Sequence, residues 1–394
     1  MTANLKTGGR RPLAGIKVLA VEQYGAGPYA TQLMAELGAE VVKIEAPAMG
    51  GDVSRATGPF FLGPADSQFF QTFSRSKKSI AVDIKTPEGR AAFEGLVAQA
   101  DMVVDNLRGD QPGKMRLTYD DLKGANPAIV CGHLSAYGRG NSRAGWPGYD
   151  YLMQAEAGLM SLTGEPDAPP ARLGVSMVDF MTGTMLAFGV VSALLSARTT
   201  GQGCDVDVSL FDVALHQLSY PAVWAMNEGY KVQRLPRGAH PSIAPSQAVK
   251  TANGWGLVMC QTPKFWEALC DLSGAAELKA DPRFTDIPSR HANRPALSEA
   301  MDVLFGTRTT ADWTALLGGK VPFAPILEMM DALDNPFVAE VGMRDVVAHP
   351  DRAEGLAMLA CPVKIDGERM PGARAPKLGE HTDEVLKSIG GAAS

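Results

Sequence analysis

The chain has 394 residues, enough for two domains or one elaborated domain with an ample core. With 45% hydrophobic and 20% charged residues it has the composition of a soluble globular protein, and its net charge of −6 excludes the basic footprint of a general nucleic-acid binder. Five cysteines without CxxC or any paired spacing suit reduced thiols in a cytoplasm. Six histidines with neither HExxH nor a tight His/Cys cluster give a metal site no support.

Residues 1–12 are polar and basic, and a loose start is expected there. Arg10-Arg11 resembles a twin-arginine signal, but the apolar run behind it is interrupted by Lys17 and ends at Glu22, so no signal peptide is expected. Residues 16–22 (IKVLAVE) read as a strand, Gly25 to Pro28 as a glycine turn, 29–37 as a helix stopped by Gly38, and 40–45 (EVVKIE) as a second strand. This βαβ opening is the usual start of an open α/β sheet. It spells G-x-G-x-x-A at Gly25, Gly27 and Ala30, with Glu45 where a ribose-binding acid belongs, so an NAD-type oxidoreductase is one reading. Against it, Pro28 removes an amide donor where a helix N-terminus would meet pyrophosphate.

Residues 50–66 form an expected loop, followed by the cations Arg75, Lys77 and Lys78, which could meet a localised anion. Strands are expected at 79–84, 102–105 and 128–133, with a helix at 87–100. Asn106-Leu107-Arg108-Gly109 directly follows one of these strands. Ligands of open α/β sheets gather at such carboxyl ends. A glycine-rich loop over 138–148 leads to Tyr149-Asp150 and an expected helix at 151–162.

The run from 180 to 197 has no charge and no proline and reads as a buried helix. It is about the minimum length for a membrane span, but Thr182, Gly183, Thr184, Gly189 and Ser192 favour a core helix. Asp179 stands just ahead of it. A helix cap is the commoner use of such an aspartate. The same place also suits a nucleophile, because a helix N-terminus is positive and its free amides can hold an oxyanion. Residues 204–210 alternate like a half-buried strand, and 212–229 read as a helix kinked at Pro221. A proline-rich linker at 231–245 opens a smaller domain with a strand at 255–260 and helices near 263–272, 292–306 and 310–317. The expected division is therefore 1–225 for the large domain, 226–335 for linker and small domain, and 336–394 returning to the large one. A strand pair is expected at 356–365.

Several stretches in order carry a resemblance: PLAGIKVLAVEQYGAGPYATQLMAELGAEVVKIE at 12–45, KKSIAVDIKTPEG at 77–89, DNLRGDQPGKM at 105–115 and PGYDYLMQAEAGLMSLTG at 147–164. They continue through the Asp179 stretch, TTGQGCDVDVSLFDVAL at 199–215, HPSIAPSQ at 240–247 and LGEHTDEVL at 378–386. Together these resemble the family III coenzyme A transferases, the group that includes formyl-CoA transferase and carnitine CoA-transferase.

The resemblance implies an α/β fold, with a Rossmann-like open-sheet large domain, a smaller α/β domain and an interlocked-ring homodimer. It implies transfer of CoA from an acyl-CoA to a free carboxylic acid, with coenzyme A as co-substrate and no tightly bound cofactor. Asp179 would be the nucleophile. Contacts to CoA would come from Gly25 and Ala26, from Val82, Asp83, Ile84 and Lys85, from Asn106, Leu107 and Arg108, and from Lys114, Trp146 and Tyr149. His240 and Ser242 would belong to a substrate loop. Ala46, Lys114 and the Leu107–Asp110 tetrapeptide depart from the family's usual residues, which bears on the adenine and phosphate contacts. The related α-methylacyl-CoA racemases carry Gly-His-Asp where this chain has Gly148-Tyr149-Asp150. A tyrosine, with an ordinary pKa of about 10, is a poor base at neutral pH, so racemisation is the weaker reading. A CoA-binding scaffold without activity is a third, opposed by the intact Asp179.

Overall fold

The computed structural model describes residues 11–390, so the loose start expected over 1–12 lies outside them except for Arg11 and Pro12. Six strands form one all-parallel sheet: β1 Lys17–Val21, β2 Glu40–Glu45, β3 Lys78–Ala81, β4 Met102–Asp105, β5 Val130–Ser135 and β6 Cys204–Ser209. Their order is β3-β2-β1-β4-β5-β6. β1 therefore lies between β2 and β4, pairing Val18 with Val41 on one side and with Met102 on the other. The chain order reverses between β1 and β4, and the crevice above that reversal is where such sheets hold ligands.

Strands enclosed in a parallel sheet read as apolar runs because helices cover both faces. Leu19, Val42, Ile80, Val103 and Cys131 join Phe93 and Val97 of helix α3 (Pro87–Val97) in one buried cluster. Helix α1 (Ala26–Glu36) packs against the long helix α5 (Met177–Thr200). Gly183 permits their close approach, since a Cβ there would stand 2.6 Å from the Ala26 carbonyl oxygen. The C-terminal segment runs along the outer edge at β3: His381 N–H donates to the Ser79 carbonyl, and the Ala81 N–H donates to the Thr382 hydroxyl.

The chain divides into two compact units. The first comprises 1–157, 174–217 and 339–394; the second comprises 158–173 and 218–338. The second unit holds an antiparallel sheet in the order β9-β8-β7, from β7 Ser246–Lys250, β8 Trp255–Met259 and β9 Phe323–Pro325. Its core gathers Trp266, Leu269, Phe284, Leu297, Met301, Phe305 and Trp313.

Several local expectations are corrected. A helix, α2 (Gln68–Ser74), follows the 50–66 loop; its cap is Ser67, whose hydroxyl accepts from the Phe70 N–H. The helix expected at 151–162 is α4 (Asp150–Glu156) followed by a separate turn, because Gly158 adopts a left-handed conformation, φ 89°. The kinked helix becomes two, α6 (Leu210–His216) and α7 (Ser219–Glu228), and the break falls before Pro221. The strand pair lies earlier than 356–365, as β10 (Arg344–His349) with β11 (Arg352–Leu359); beyond it Pro362 has no amide to continue a ladder.

The largest correction concerns α5. The helix is long and apolar enough to cross a membrane by length and composition. Val178, Thr182, Leu186, Val190, Leu194 and Ala197 line its buried side, while Phe188 and Leu195 are 69% and 67% exposed. It is apolar all round, yet within one chain it is buried on one side only.

Candidate active site

The crevice at the β1–β4 reversal contains a cavity of ~140 Å³, lined by Gln23, Tyr24, Gly25 and Ala26 after β1 and by Asn106, Leu107 and Arg108 after β4. Leu134–Ala136, Trp146, Gly148, Tyr149, Leu210 and Asp179 complete it. Eight of the sequence-expected site residues thus converge: Gly25, Ala26, Asn106, Leu107, Arg108, Trp146, Tyr149 and Asp179. A Cβ at Gly25 would stand 3.2 Å from Oδ2 of Asp179, so the glycine turn lies directly against that carboxylate. Ala26 and Gly27 open α1, where backbone amides have no acceptor within the helix.

Asp179 is not the helix cap. The N-cap position is Ser176, and Asp179 sits in the first turn of α5. Its N–H donates instead to Oδ2 of Asp150 at 2.9 Å, while Oδ1 of Asp150 accepts from Nε2 of Gln154 at 2.5 Å. Asp150 is buried, so a carboxylate from the start of α4 caps α5 through space. The sequence shows Tyr149-Asp150 but not this role, since the partners are 29 residues apart.

Burial, with the Asp150 charge added, pushes the Asp179 carboxyl up to about 7. Burial and a like charge both disfavour the ionised form, and so act against the stabilisation expected from a helix N-terminus. The result is a half-buried carboxyl that exchanges its proton near neutrality.

The remaining expected residues fall elsewhere. Ile84, Lys85 and Lys114 share a second cavity of ~500 Å³ with Thr86, Pro87, Arg90, Gln111, Met115 and Arg116. Four cations, Lys85, Arg90, Lys114 and Arg116, line one opening, where Arg90 and Arg116 share Glu94 as an acid partner. Val82 and Asp83 lead to it from the end of β3; the Asp83 carboxylate accepts from the Lys85 N–H at 2.9 Å. Lys114 pairs with Asp110 at 2.6 Å. His240 and Ser242 lie in the second unit. There Nδ1 of His240 accepts from the Ser242 and Ile243 amides, each at 3.2 Å, and its other ring nitrogen meets the Tyr220 hydroxyl at 3.1 Å. Burial and nearby Arg294 hold this histidine below its ordinary pKa.

The cation cluster Arg75, Lys77 and Lys78 does not present itself to an anion. Arg75 pairs with Glu36, Lys77 with Glu22 at 2.8 Å, and Lys78 with Glu40 and Glu384. Glu45 is likewise occupied: Arg55 donates to both its oxygens, at 2.8 and 2.7 Å, and Ser79 Oγ donates at 2.5 Å. A ribose would have to displace an ion pair that is almost wholly buried.

The site thus joins an open parallel sheet, a half-buried carboxyl at its reversal point and a glycine turn set directly against that carboxyl. The profile of CoA-transferase family III matches residues 13–382. The chain is 36% identical to an acyl-CoA transferase of Fusarium pseudograminearum, over 96% of this chain and 85% of that one. It is 33% identical to a succinyl-CoA:mesaconate CoA-transferase of Haloarcula hispanica, over 96% of each. The crystal structure of a CaiB/BaiF family protein from Brucella suis superposes with a TM-score of 0.83 at 32% identity, covering 96% of this chain and all of that one. The chain belongs to CoA-transferase family III, and it is a CoA transferase.

Proposed function

We propose that the protein moves CoA from succinyl-CoA or a similar donor to a free carboxylic acid, with Asp179 as the covalent carrier. The observation that carries this reading is a carboxyl with no cation paired to it among the described residues, set against Gly25 and exchanging its proton near pH 7. Ionised Asp179 attacks the donor thioester carbonyl, and the C–S bond breaks to release CoA thiolate, leaving a mixed anhydride. The thiolate attacks the aspartyl carbonyl of that anhydride; the donor acid leaves and an aspartyl-CoA thioester remains. The acceptor carboxylate then attacks this thioester, giving a second anhydride and free thiolate. Attack of the thiolate on the acceptor's carbonyl forms the new acyl-CoA and restores Asp179. The thioester's energy is retained throughout, and the amides around Gly25 and Ala26 supply donors for the oxyanions.

The Haloarcula relative is named for two dicarboxylic acids, which favours dicarboxylates as the acid pair. In this reading Ile84, Lys85 and Lys114 meet the phosphate end of CoA, with Val82 and Asp83 beside them. Trp146 and Tyr149 flank the reacting end, and His240 and Ser242 belong to the substrate loop. Two copies form the interlocked homodimer. The open apolar side of α5 is the kind of surface a second copy covers, since exposed patches of this type mark association sites. Five free thiols support a reducing, cytoplasmic setting. Racemisation is disfavoured because Tyr149, 66% exposed, stands where that reaction would need a base titrating near neutrality.

Incubation with succinyl-CoA and a panel of acids, followed by mass spectrometry, is expected to show new acyl-CoA species. Asp179→Ala is expected to abolish their formation, a loss of at least ~10⁴-fold, while CoA binding persists. Hydroxylamine added with donor should mark Asp179 as a hydroxamate; an enzyme mass unchanged by donor would defeat the covalent route. In solution the native mass should be that of two chains, and Phe188→Glu should weaken that association.

A further inference from the structure

We propose that Asn106 is a positioning residue for the loop set against Asp179. The proposal rests on Asp179 being the nucleophile. Asn106 is the first residue after β4, and its side chain reaches across to the loop after β1. There its Oδ1 accepts from the Gln23 N–H at 2.9 Å and its Nδ2 donates to the Gln23 carbonyl at 2.7 Å. Both ends of the carboxamide thus hold the backbone of one residue. No loop joins the ends of β1 and β4, because the chain order reverses between them, so this bridge ties the two lips of the crevice together.

The two residues after Gln23 give the bridge its meaning. Tyr24 is left-handed, φ 71°, a conformation that a bulky residue rarely holds unaided. Its N–H donates to Oδ1 of buried Asp52 at 3.0 Å, and its ring packs on Phe69 with centroids 4.9 Å apart. Gly25 then lies against the Asp179 carboxylate. The two residues ahead of Gly25 are therefore each held by side chains from elsewhere in the chain, the first of them by Asn106. The second glycine of the G-x-G-x-x-A pattern serves the same purpose. A Cβ at Gly27 would stand 2.7 Å from the Asn106 Cβ and 2.8 Å from its Cγ, so glycine there makes room for the bridge and not for a pyrophosphate.

The test compares wild type, Asn106→Ala, Gly27→Ala and the double variant, using succinyl-CoA and an acid the wild type accepts. Displacing a group next to the reacting atoms by about 1 Å costs on the order of 100-fold in rate. Each single variant is expected to lower kcat by roughly 30- to 100-fold, with the Kd for free CoA within about threefold of wild type. The double variant is expected to be no slower than either single one, because both remove the same bridge. Hydrogen exchange in CoA-free protein should show the Gln23 and Tyr24 amides exposed and those of β4 unchanged. Asn106→Ser, too short to span the bridge and adding no charge, serves if the alanine variant fails to fold, and a similar fall in kcat is expected from it. A tenfold or greater rise in the CoA Kd with kcat preserved, or losses that multiply in the double variant, would overturn the proposal. A wild-type enzyme that never acylates Asp179 would instead defeat the transfer reading, and the exchange signature would still decide the bridge.

Discussion

Buried carboxylates at the carboxyl end of the same sheet meet two kinds of surroundings, one with a cation at hand and one without. Glu22, Glu45 and Asp52 are each buried and each matched by a cation. Lys43 bonds Asp52 at 2.7 Å, Lys77 bonds Glu22 at 2.8 Å, and Arg55 grips Glu45 through Nε and Nη2. Although burial alone would raise it, the Lys43 charge and the Ser54 hydrogen bonds bring Asp52 down to about 2. Asp179 is less buried, yet burial holds its proton up to about 7 with no cation to oppose it, and the charged group that acts on it, Asp150, is another carboxylate that raises it further. Burial is common to both groups; the cation is the difference. Acids that hold the fold are neutralised in place, and the acid proposed to react is left without a counter-charge.

Removing a cation from the first group should do the greater damage. Lys43→Met leaves Asp52 charged and unmatched in a dry interior, and breaking such a pair typically costs about 3–5 kcal/mol. A urea melt is expected to show that loss, with cooperative unfolding at a much lower midpoint. At Asp179 the opposite holds. A carboxyl whose proton is held more tightly folded than unfolded costs little at pH 3.5, where most of both states is protonated. The cost then grows as pH rises from about 4 to about 7 and is constant above that. Asp179→Asn is therefore expected to stabilise the protein at pH 8, by up to about 4 kcal/mol for a carboxyl raised from about 4 to about 7, and to change little at pH 3.5, while transfer is lost. Equal melts at both pH values would show that the site carries no such strain.

Much of the sheet was legible because buried parallel strands are short apolar runs bounded by glycine or polar turns. All six were located to within about three residues on that pattern. Asp179 was legible for a local reason too, an acid at the head of an uncharged helix. The structure changes what that location means. Asp150 takes the capping bond, and it comes from another helix, so no local pattern could assign it. The pairing of Arg75 with Glu36 and of Lys77 with Glu22 was equally hidden: a basic cluster in sequence looks the same whether its partners are solvent, ligand or acids brought together by folding. The glycine pattern misled in one particular, because its second glycine accommodates Asn106. Helix α5 reads as buried throughout from composition, yet one chain covers only one of its sides.

The smallest change sharpens the contrast most. Asp150→Asn keeps an acceptor for the Asp179 N–H, so α5 stays capped, but it removes the charge that helps hold the Asp179 proton. Removing a like charge lowers the pKa of the carboxyl it faces. The acid limb of kcat/KM for succinyl-CoA, expected near pH 7 in the wild type, should move down by about one unit, equivalent to about 1.4 kcal/mol. Below pH 6 more Asp179 would then be ionised and the variant should turn over faster than wild type. Above pH 8 Asp179 is ionised in both. There the variant should be equal or slower, because a carboxylate of lower basicity is the weaker nucleophile. A rate that falls by the same factor at every pH would mean that Asp150 acts on the position of α5 alone, and that burial by itself sets the proton affinity of Asp179.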